Sequence, residues 1–250
     1  MKFHVGAYVV KVGVPDRAAL EKRVLDRFAQ GDGFALATLN LDHLVKLRTD
    51  ADFRSAYAAQ DFIVADGNPI VWMSRLAQQP VTLMPGSDLV LPLTQLCATH
   101  NVPVALLGST QDSLNRAAKV LQAKVPGLSI ACCIAPPFGF DPQGPEADRI
   151  LAQLAASGAR LCFLALGAPK QELLAARGRE LTPQIGFASI GAGLDFLSGS
   201  QTRAPRWVRR LALEWLWRML SSPRRMVGRY GKSFTILPGH MLRALKARWA

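Results

Sequence analysis

The sequence has little of what marks membrane-spanning or exported proteins. No run in it reaches the roughly 18 consecutive apolar residues that a membrane-spanning helix needs. The first residues, "MKFHVGAYVVKVGV", lack the longer apolar core and the small-residue cleavage site of a signal peptide. We therefore expect a protein that is soluble or attached to the periphery of a membrane, and not an integral one.

Cysteine and histidine are scarce and scattered. The chain has four of each, and the cysteines lack the paired spacing of metal ligands. Three of the four cysteines lie in apolar, strand-like runs, which favours reduced, buried thiols in a cytosolic protein. No Ser-His-Asp or paired-Cys arrangement is visible. The glycine pattern G-x-G-x-x-G, which an NAD(P)-dependent oxidoreductase needs after its first strand, is also missing.

Acidic residues are almost absent from residues 203–250, here called the basic segment. It holds 12 Lys/Arg and one acid, Glu214, and so carries +11 of the total charge of +12. Residues 1–202 hold 18 Lys/Arg and 17 Asp/Glu, a net charge of +1. Such a segment attracts phosphates, whether those of a nucleic acid, of anionic lipid head groups or of a diphosphate substrate.

The rest of the chain alternates short apolar runs with amphipathic stretches. The predicted strands are residues 5–10, 34–40, 62–65, 103–108, 129–134, 160–166 and 185–190. Between them the sequence has helical periodicity, as at Leu114, Ala117 and Leu121. Strands that alternate with helices predict an α/β fold, Rossmann-like, with a mostly parallel sheet and helices on both faces. We expect a catalytic domain over residues 1–202, with two lobes around a cleft and a division near residue 100.

The strand pattern stops after Gln201, and the basic segment reads as helical. Its first predicted helix has two stripes of side chains. The charged stripe consists of Arg206, Arg210, Glu214 and Arg218. The apolar stripe consists of Val208, Leu211, Ala212, Trp215 and Met219. Two interpretations are open. The helix packs on the body with a solvated charged face, or it docks on an anionic membrane or closes over a phosphate. The skewed charge favours the second.

Candidate site residues follow the predicted strands, because ligands of open parallel sheets bind beyond the carboxyl ends of the strands. Thr38 and Asn40 end one strand, where a hydroxyl and an amide can hold sugar hydroxyls, although Asn40 also suits a helix N-cap. Asp66 precedes a glycine after the next strand. It is either part of a plain turn or a carboxylate able to accept a proton from a hydroxyl.

Three further junctions carry small or polar residues. Gly108 and Ser109 start a helix whose free N–H groups suit a phosphate, without the Gly-Lys-Ser/Thr of a P-loop. In "LGAPKQE", Gly167 lets the backbone approach a ligand, while Lys170 and Gln171 project from a helix N-terminus, where a cation indicates a nearby anion. The last junction has Gly191, Gly193 and Asp195, a weak likeness to a glycine-rich nucleotide turn.

Two other segments carry features that are typical of enzyme sites. Residues 135–145, "APPFGFDPQGP", are the one long loop rich in turn residues, and we interpret them as a rim or lid. Asp50-Ala51-Asp52 has the D-x-D form that many sugar-nucleotide enzymes use to hold a metal ion. No apolar strand leads into it, so we interpret it as a solvated helix or turn.

The motifs together resemble one family. "TLNLDHLVKL", "ADGNPIVW", "MPGSDL", "LLGS", "LGAPKQE", "IGAGLDFLSGSQTRAP" and "LEWLWRMLSSPRRMVGRY" occur in one order between Thr38 and Tyr230, about three-quarters of the chain. This order closely resembles the WecG/TagA/CpsF bacterial glycosyltransferases, glycosyltransferase family 26. The chain departs from the family at Leu83, where members often have Arg, and at Ala212, where they often have Gly.

The resemblance implies an inverting glycosyltransferase of cell-surface polysaccharide synthesis. Such an enzyme moves a sugar from a UDP-sugar to an undecaprenyl-diphosphate-linked saccharide at the cytoplasmic face of the inner membrane. It is peripheral, uses no D-x-D metal site and needs no cofactor. Its partners are the UDP-sugar, the lipid-linked acceptor and an anionic membrane surface, but no nucleic acid, and a homo-oligomer is possible.

The resemblance also assigns roles to single residues. Asp66 matches the proposed catalytic base. Thr38, Asn40 and Gln171 match substrate-binding positions, and Arg218, Arg225 and Arg229 lie in the region whose arginines engage the diphosphate. A basic C-terminal helical appendage, residues 203–250, would help membrane docking and complete the active site. The rival interpretations are an NAD(P)-dependent oxidoreductase and a nucleic-acid-binding protein that uses the basic segment.

Overall fold

The chain is built on one six-stranded sheet in which all strands run parallel. The computed structural model describes residues 1–205, 207–208, 211–221 and 223–248, without the side chains of residues 218, 221, 223–227, 229, 230 and 232. The sheet strands are β3 (Ala35–Leu39), β4 (Phe62–Ala65), β5 (Val104–Gly108), β6 (Ile130–Ile134), β7 (Leu161–Ala165) and β8 (Gly186–Ser189). Their spatial order is β4-β3-β8-β7-β5-β6. The predicted Rossmann-like parallel sheet is confirmed. Strands from both sides of residue 100 share it, and the division into two lobes stays a prediction.

The prediction of a single strand over residues 5–10 is wrong. The structure has an antiparallel hairpin there, with β1 (Lys2–Val5) paired to β2 (Tyr8–Lys11). Gly6 adopts φ +61° between them, a left-handed conformation that glycine enters without steric cost and that reverses the chain. The hairpin stands apart from the main sheet.

Helices connect the strands and cover the sheet. They are α1 (Arg17–Gln30), α2 (Leu41–Thr49), α3 (Ala51–Ala58), α4 (Asn68–Leu76), α5 (Gly86–Thr99), α6 (Gln111–Lys124), α7 (Pro145–Ala156), α8 (Lys170–Leu181), α9 (Gly193–Ser198), α10 (Glu214–Ser221) and α11 (Pro223–Lys246). Several begin at a side-chain cap, such as Asn40 for α2, Asp50 for α3 and Thr110 for α6. Asp50 of the D-x-D triplet is therefore a helix cap, as the helix-or-turn interpretation predicted.

Both faces of the sheet are buried, which explains why its strands read as continuous apolar runs. On one face, side chains such as Leu36 and Phe163 pack against α1, α5, α6 and α9. On the other face, one cluster joins β3 and β4 to the hairpin, α2, α3, α4 and α11. A second cluster on that face joins β7 and β8 to α7 and α8. Helical cover on both faces therefore leaves the carboxyl ends of the strands as the place where polar residues collect.

The basic segment is helical but does not start with the single helix that its stripes predicted. Ala212 has φ +60°, and the chain turns at residues 211–213 before α10 begins at Glu214. Arg206 and Arg210, two members of the predicted charged stripe, lie outside the described residues. Further along, α11 buries Ile236 and Ala244 against the cluster that contains α2 and α4. No helix in the described part of the chain combines the length and the apolar character that crossing a bilayer would require.

Candidate active site

Asp66 and Asn40 meet at the carboxyl ends of β4 and β3. The Asn40 Nδ2 group donates to the Asp66 carboxylate at 3.3 Å, and the Asp66 main-chain N–H donates to the carbonyl of Leu39 at 2.8 Å. The other end of the Asn40 amide accepts from the main-chain N–H of His43 at 3.0 Å and so caps α2. Both interpretations of Asn40 are therefore compatible, because one amide end holds the helix and the other orients the carboxylate.

The turn after Asp66 sets the carboxylate at the edge of the sheet. Gly67 has φ +100°, a conformation that side-chain-bearing residues rarely adopt. Leu83 lies alongside, because it forms a parallel bridge with Ala65 and Met84 donates its N–H to the Ala65 carbonyl at 2.7 Å. The Leu83 side chain is 40 % exposed. An apolar side chain thus stands beside Asp66, at the position where the resembled family often has arginine.

A buried polar layer supports the end of β3. Thr38 is only 4 % exposed, and its carbonyl accepts from the Tyr57 hydroxyl at 2.7 Å. The Nδ1 atom of His43 lies 2.7 Å from both that carbonyl and the Tyr57 hydroxyl. Burial, and after it the carboxylates of Glu172 and Asp66, raise the pKa of Tyr57 well above its usual range. Tyr57 therefore stays protonated and keeps donating to the strand.

Gly108, Ser109 and Asp195 form a joint between β5 and α9. Ser109 donates its hydroxyl to Asp195, which also accepts from Ser113 Oγ at 3.1 Å and from Gln201 Nε2 at 2.8 Å. A Cβ on Gly108 would overlap the carbonyl of Ala165, and Gly108 also has φ +114°. The structure accounts for these residues through packing and internal hydrogen bonds. Their predicted contact with a phosphate stays a prediction.

The "LGAPKQE" motif sends its polar side chains in two directions. Lys170 donates from Nζ to the carbonyl of Phe140 at 2.6 Å, which fastens the long loop of residues 135–145 across the start of α8. Gln171 turns inward and is 3 % exposed, and its Oε1 accepts from the main-chain N–H of Gly191 at 3.1 Å. Gly167 borders open space, with nothing within 4 Å of where a Cβ would stand. The backbone there is accessible to a ligand.

The two glycines of the turn after β8 also have different surroundings. Gly191 has φ +56° and open space where a Cβ would stand, and its N–H is held by Gln171. A Cβ on Gly193 would press against Val90 and Ile190, so this glycine allows α9 to pack closely. Of these two glycines, Gly191 is the one that borders open space.

Glu172 is the member of the motif that sequence reasoning missed. Its carboxyl is fully buried, and Gln171 donates from Nε2 to its Oε1 at 2.8 Å. Burial raises the pKa of Glu172 to about 7, against the opposing effects of the Gln171 hydrogen bond, its own backbone N–H and the charge of Lys46. A helical count could have placed its neighbour inside, because Gln171 is in phase with the buried Leu174 and Gly178. That count gives no sign that a glutamate is also buried.

Other predicted features fall outside this set. The side chains of Arg218, Arg225 and Arg229 are outside the described residues. Within the described part of the chain, no group of three His, Cys, Asp or Glu side chains is placed to hold a metal ion.

A groove of about 360 Å³ between β2 and β4 includes Asp61, which lies at the amino end of β4. Asp66 lies at the carboxyl end, where parallel sheets bind ligands, so we assign the candidate site there.

Five neighbouring strand ends thus line one edge of the sheet. In spatial order from β4 to β5 they carry Asp66, Asn40, Gly191, Gly167 and Ser109. The row places a carboxylate oriented by an amide at one end and open backbone turns towards the middle. A carboxylate in that setting can accept a proton from a hydroxyl, and the turns let a ligand approach main-chain N–H groups.

Comparisons with known proteins place the chain in a family. The model of the glycosyl transferase WecG/TagA/CpsF family matches residues 7–250. The chain is also similar to the N-acetylglucosaminyldiphosphoundecaprenol N-acetyl-beta-D-mannosaminyltransferase of Bacillus subtilis (strain 168). The two are 29 % identical over 230 residues, which is 91 % of this chain and 84 % of that protein. The resemblance that the ordered motifs indicated is confirmed, and the chain belongs to the WecG/TagA/CpsF family of glycosyltransferases.

Proposed function

We propose that this glycosyltransferase moves a sugar from a UDP-sugar to an undecaprenyl-diphosphate-linked saccharide, with inversion, in the synthesis of a cell-surface polysaccharide. The observation that carries the proposal is the Asp66 carboxylate at the end of β4, oriented by the Asn40 amide. The name of the similar Bacillus subtilis protein describes transfer of an amino sugar to an acceptor on undecaprenyl diphosphate. That name supports a lipid-linked acceptor here.

The proposed step is a single displacement. Asp66 takes the proton from the acceptor hydroxyl while that oxygen bonds to the anomeric carbon of the donor. The bond between the anomeric carbon and the diphosphate oxygen breaks on the opposite face, and UDP leaves with the electron pair. Thr38 lies in β3 and Asn40 follows that strand, beside the end of β4 that carries Asp66, so we place the sugars at the ends of β3 and β4.

The leaving diphosphate needs positive charge or N–H donors around it. Main-chain N–H groups at the end of β7 supply some of these, because Gly167 borders open space. Lys170 stands at the start of α8 and is exposed. Arg218, Arg225 and Arg229 of the basic segment supply further charge in this proposal, as the family resemblance implies.

We further propose that the basic segment docks the enzyme on the cytoplasmic face of an anionic membrane. Large apolar side chains stand exposed on it, among them Trp207 (63 %), Leu211 (61 %) and Leu220 (72 %). Exposed tryptophan and leucine beside lysine and arginine are typical of helices that lie in a membrane interface. A lipid-linked acceptor is held in the membrane, so docking brings the catalytic domain, residues 1–202, to its substrate.

The direct test is transfer from radiolabelled UDP-sugars to a lipid-linked acceptor by the wild type and by Asp66→Asn. The variant keeps the size of the side chain but removes the base, so we expect kcat to fall about 10²-fold or more. Asp52→Asn is the matched control, because Asp52 is exposed on the first turn of α3. A near-wild-type rate for Asp66→Asn would reject the base assignment.

Membrane docking has its own test. The full chain should sediment with vesicles that contain phosphatidylglycerol and stay in solution with pure phosphatidylcholine, and added salt should release it. Substituting Trp207 and Leu220 by serine should weaken binding to the anionic vesicles while leaving UDP binding intact. Equal sedimentation with both kinds of vesicle would argue against charge-driven docking.

A further inference from the structure

Glu172 combines two properties that a glutamate on a helix rarely has together. It lies in the first turn of α8, at the edge of the candidate site, yet its side chain is fully buried. Its Oε1 accepts from Gln171, whereas its Oε2 is buried and has no hydrogen-bond partner among the described residues. Burying a carboxyl with an unpaired oxygen is costly. A cost of this kind at a site's edge calls for a functional explanation.

The explanation that we infer starts with the orientation of the Gln171 amide. One end of the amide donates to Glu172 Oε1 at 2.8 Å, and the other end accepts from the Gly191 N–H at 3.1 Å. If the amide rotated by half a turn, its NH₂ group would face the Gly191 N–H, donor against donor. The Glu172 oxygen would then face the amide oxygen, acceptor against acceptor. The carboxyl therefore fixes which end of Gln171 faces Gly191.

This short chain of bonds links two adjacent strand ends. Glu172 and Gln171 follow β7, and Gly191 follows β8, which lies between β7 and β3 in the sheet. Gly191 has φ +56° and no side-chain contacts within 4 Å of its Cβ position, so local packing does little to hold it. The hydrogen bond from Gln171 supplies a restraint that packing does not.

We propose that Glu172 is a positioning residue of the transfer reaction, acting through Gln171 to hold the Gly191 turn in the shape that the sugar nucleotide meets. The inference rests on the proposed function, because it presumes that a sugar nucleotide binds against this turn. Glu172 itself touches neither substrate. Its effect falls on donor binding more than on the chemical step.

The surroundings of Glu172 set how its protonation changes. Lys46 faces it from α2 as a cation, itself bonded to Asp42 at 3.1 Å and to the Ala168 carbonyl at 2.8 Å. Tyr57 lies on α3, and the charge of the nearby Glu172 helps to raise the pKa of Tyr57. Just after α3, the amide of Gln60 donates to the Glu172 main-chain carbonyl at 3.3 Å. Burial outweighs the attraction of Lys46, so the carboxyl titrates near neutral pH.

Two substitutions separate positioning from simple packing. Glu172→Leu fills the space without an acceptor, so Gln171 loses its partner and the donor KM should rise about tenfold, the equivalent of one lost hydrogen bond, with kcat changed less. Glu172→Gln keeps an acceptor oxygen and cannot ionise. Its donor KM should stay near that of the wild type at pH 6 and should not change between pH 6 and 8, whereas the wild-type KM should fall over that range, because the ionised carboxylate accepts more strongly from Gln171. Glu180→Gln, an exposed change on the same helix, is the matched control.

A second measurement needs no substrate. Hydrogen exchange at the Gly191 amide of the full chain, read by NMR, should be faster in Glu172→Leu than in the wild type and unchanged in Glu172→Gln. Wild-type exchange at Gly191 and a wild-type KM in Glu172→Leu would overturn the inference. Equal losses in the Leu and Gln variants, with no difference in pH profile, would also overturn it, because a merely structural role gives that result.

The outcomes also separate this inference from the proposed function. If Asp66→Asn is inactive while Glu172→Leu behaves as wild type, the proposed function stands and the positioning role is wrong. If the wild type transfers no sugar from any UDP-sugar, the proposed function fails, and the positioning role, which presumes it, fails with it. In that case the exchange measurement still decides the narrower point of whether Glu172 restrains the Gly191 turn.

Discussion

Replacing Glu172 by glutamine should change how the stability of the fold depends on pH. Burial raises the pKa of this carboxyl from 4.5 to about 7 in the folded protein. Between these two values the folded chain keeps a proton that the unfolded chain has released. The free energy of unfolding of the wild type therefore falls as the pH rises from about 4.5 to about 7, and stays lowered above that.

The size of the effect follows from the difference between the two pKa values. Each pKa unit corresponds to 1.36 kcal/mol, so complete ionisation in the buried position costs roughly 3 kcal/mol. Glu172→Gln cannot ionise and avoids this loss. Its buried NH₂ group lacks an acceptor, a penalty of about 1–3 kcal/mol that does not vary with pH. The stability of the variant relative to the wild type should thus increase by about 3 kcal/mol from pH 4.5 to pH 8, whatever the fixed penalty.

Urea unfolding followed by tryptophan fluorescence at constant ionic strength measures this difference. Wild type, Glu172→Gln and the exposed control Glu180→Gln are compared at pH 4.5, 6, 7 and 8. The control removes a carboxylate from the same helix and should run parallel to the wild type. If Glu172→Gln also runs parallel to the wild type across this range, the carboxyl does not titrate in the folded protein near pH 7, and the burial argument is refuted.

Three further predictions concern other parts of the fold. Burial, followed by the charges of Arg243, Arg48 and His4, lowers the pKa of His240 on α11 to about 4, so docking of this helix should weaken as the pH falls from 6.5 towards 4. Faster amide exchange in residues 233–246 at pH 5 than at pH 7.5, after correction for intrinsic rates, would show this, and His240→Phe should remove the difference. Gly108→Ala should lower the melting temperature by several degrees, because its Cβ overlaps the Ala165 carbonyl and its φ is +114°, whereas Gly167→Ala should leave the melting temperature unchanged. An equal loss in both variants would contradict the packing role of Gly108. Ala212→Gly should raise the free energy of unfolding by up to about 1 kcal/mol, since Ala212 holds φ +60°, and a loss of stability would mean that its methyl group contributes more than its backbone costs.

The parallel sheet could be predicted because its strands are buried on both faces and therefore lack polar positions. β4 was predicted at its observed bounds for this reason. The hairpin was missed because Gly6 interrupts an apolar run of only six residues, too short to distinguish one strand from two halves. The break in the predicted helix at Ala212 was missed because alanine favours helix, and the neighbouring residues do not indicate a left-handed backbone there.

The candidate site was only partly readable from the sequence. The topology rule for parallel sheets placed Asn40 and Asp66 at strand ends, and the structure shows that these two residues, 26 positions apart, are neighbours. It could not tell which polar residues after a strand turn outward and which turn inward. Gln171 was expected to face a ligand and is instead buried against Gly191, and Glu172 was passed over because glutamate is rarely buried. Those directions depend on packing partners far away in the chain.

The strand order has a consequence for how the protein is made. β7 and β8 are the last strands to be synthesised, yet they sit between the β3–β4 pair and the β5–β6 pair. Until residues 161–189 have left the ribosome, each pair presents an unpaired edge, and nascent or truncated chains that stop earlier are exposed to edge-to-edge aggregation. The row of loops that carries Asp66, Asn40 and Gly191 is complete only when those two strands are inserted, so this edge of the sheet takes shape late in synthesis.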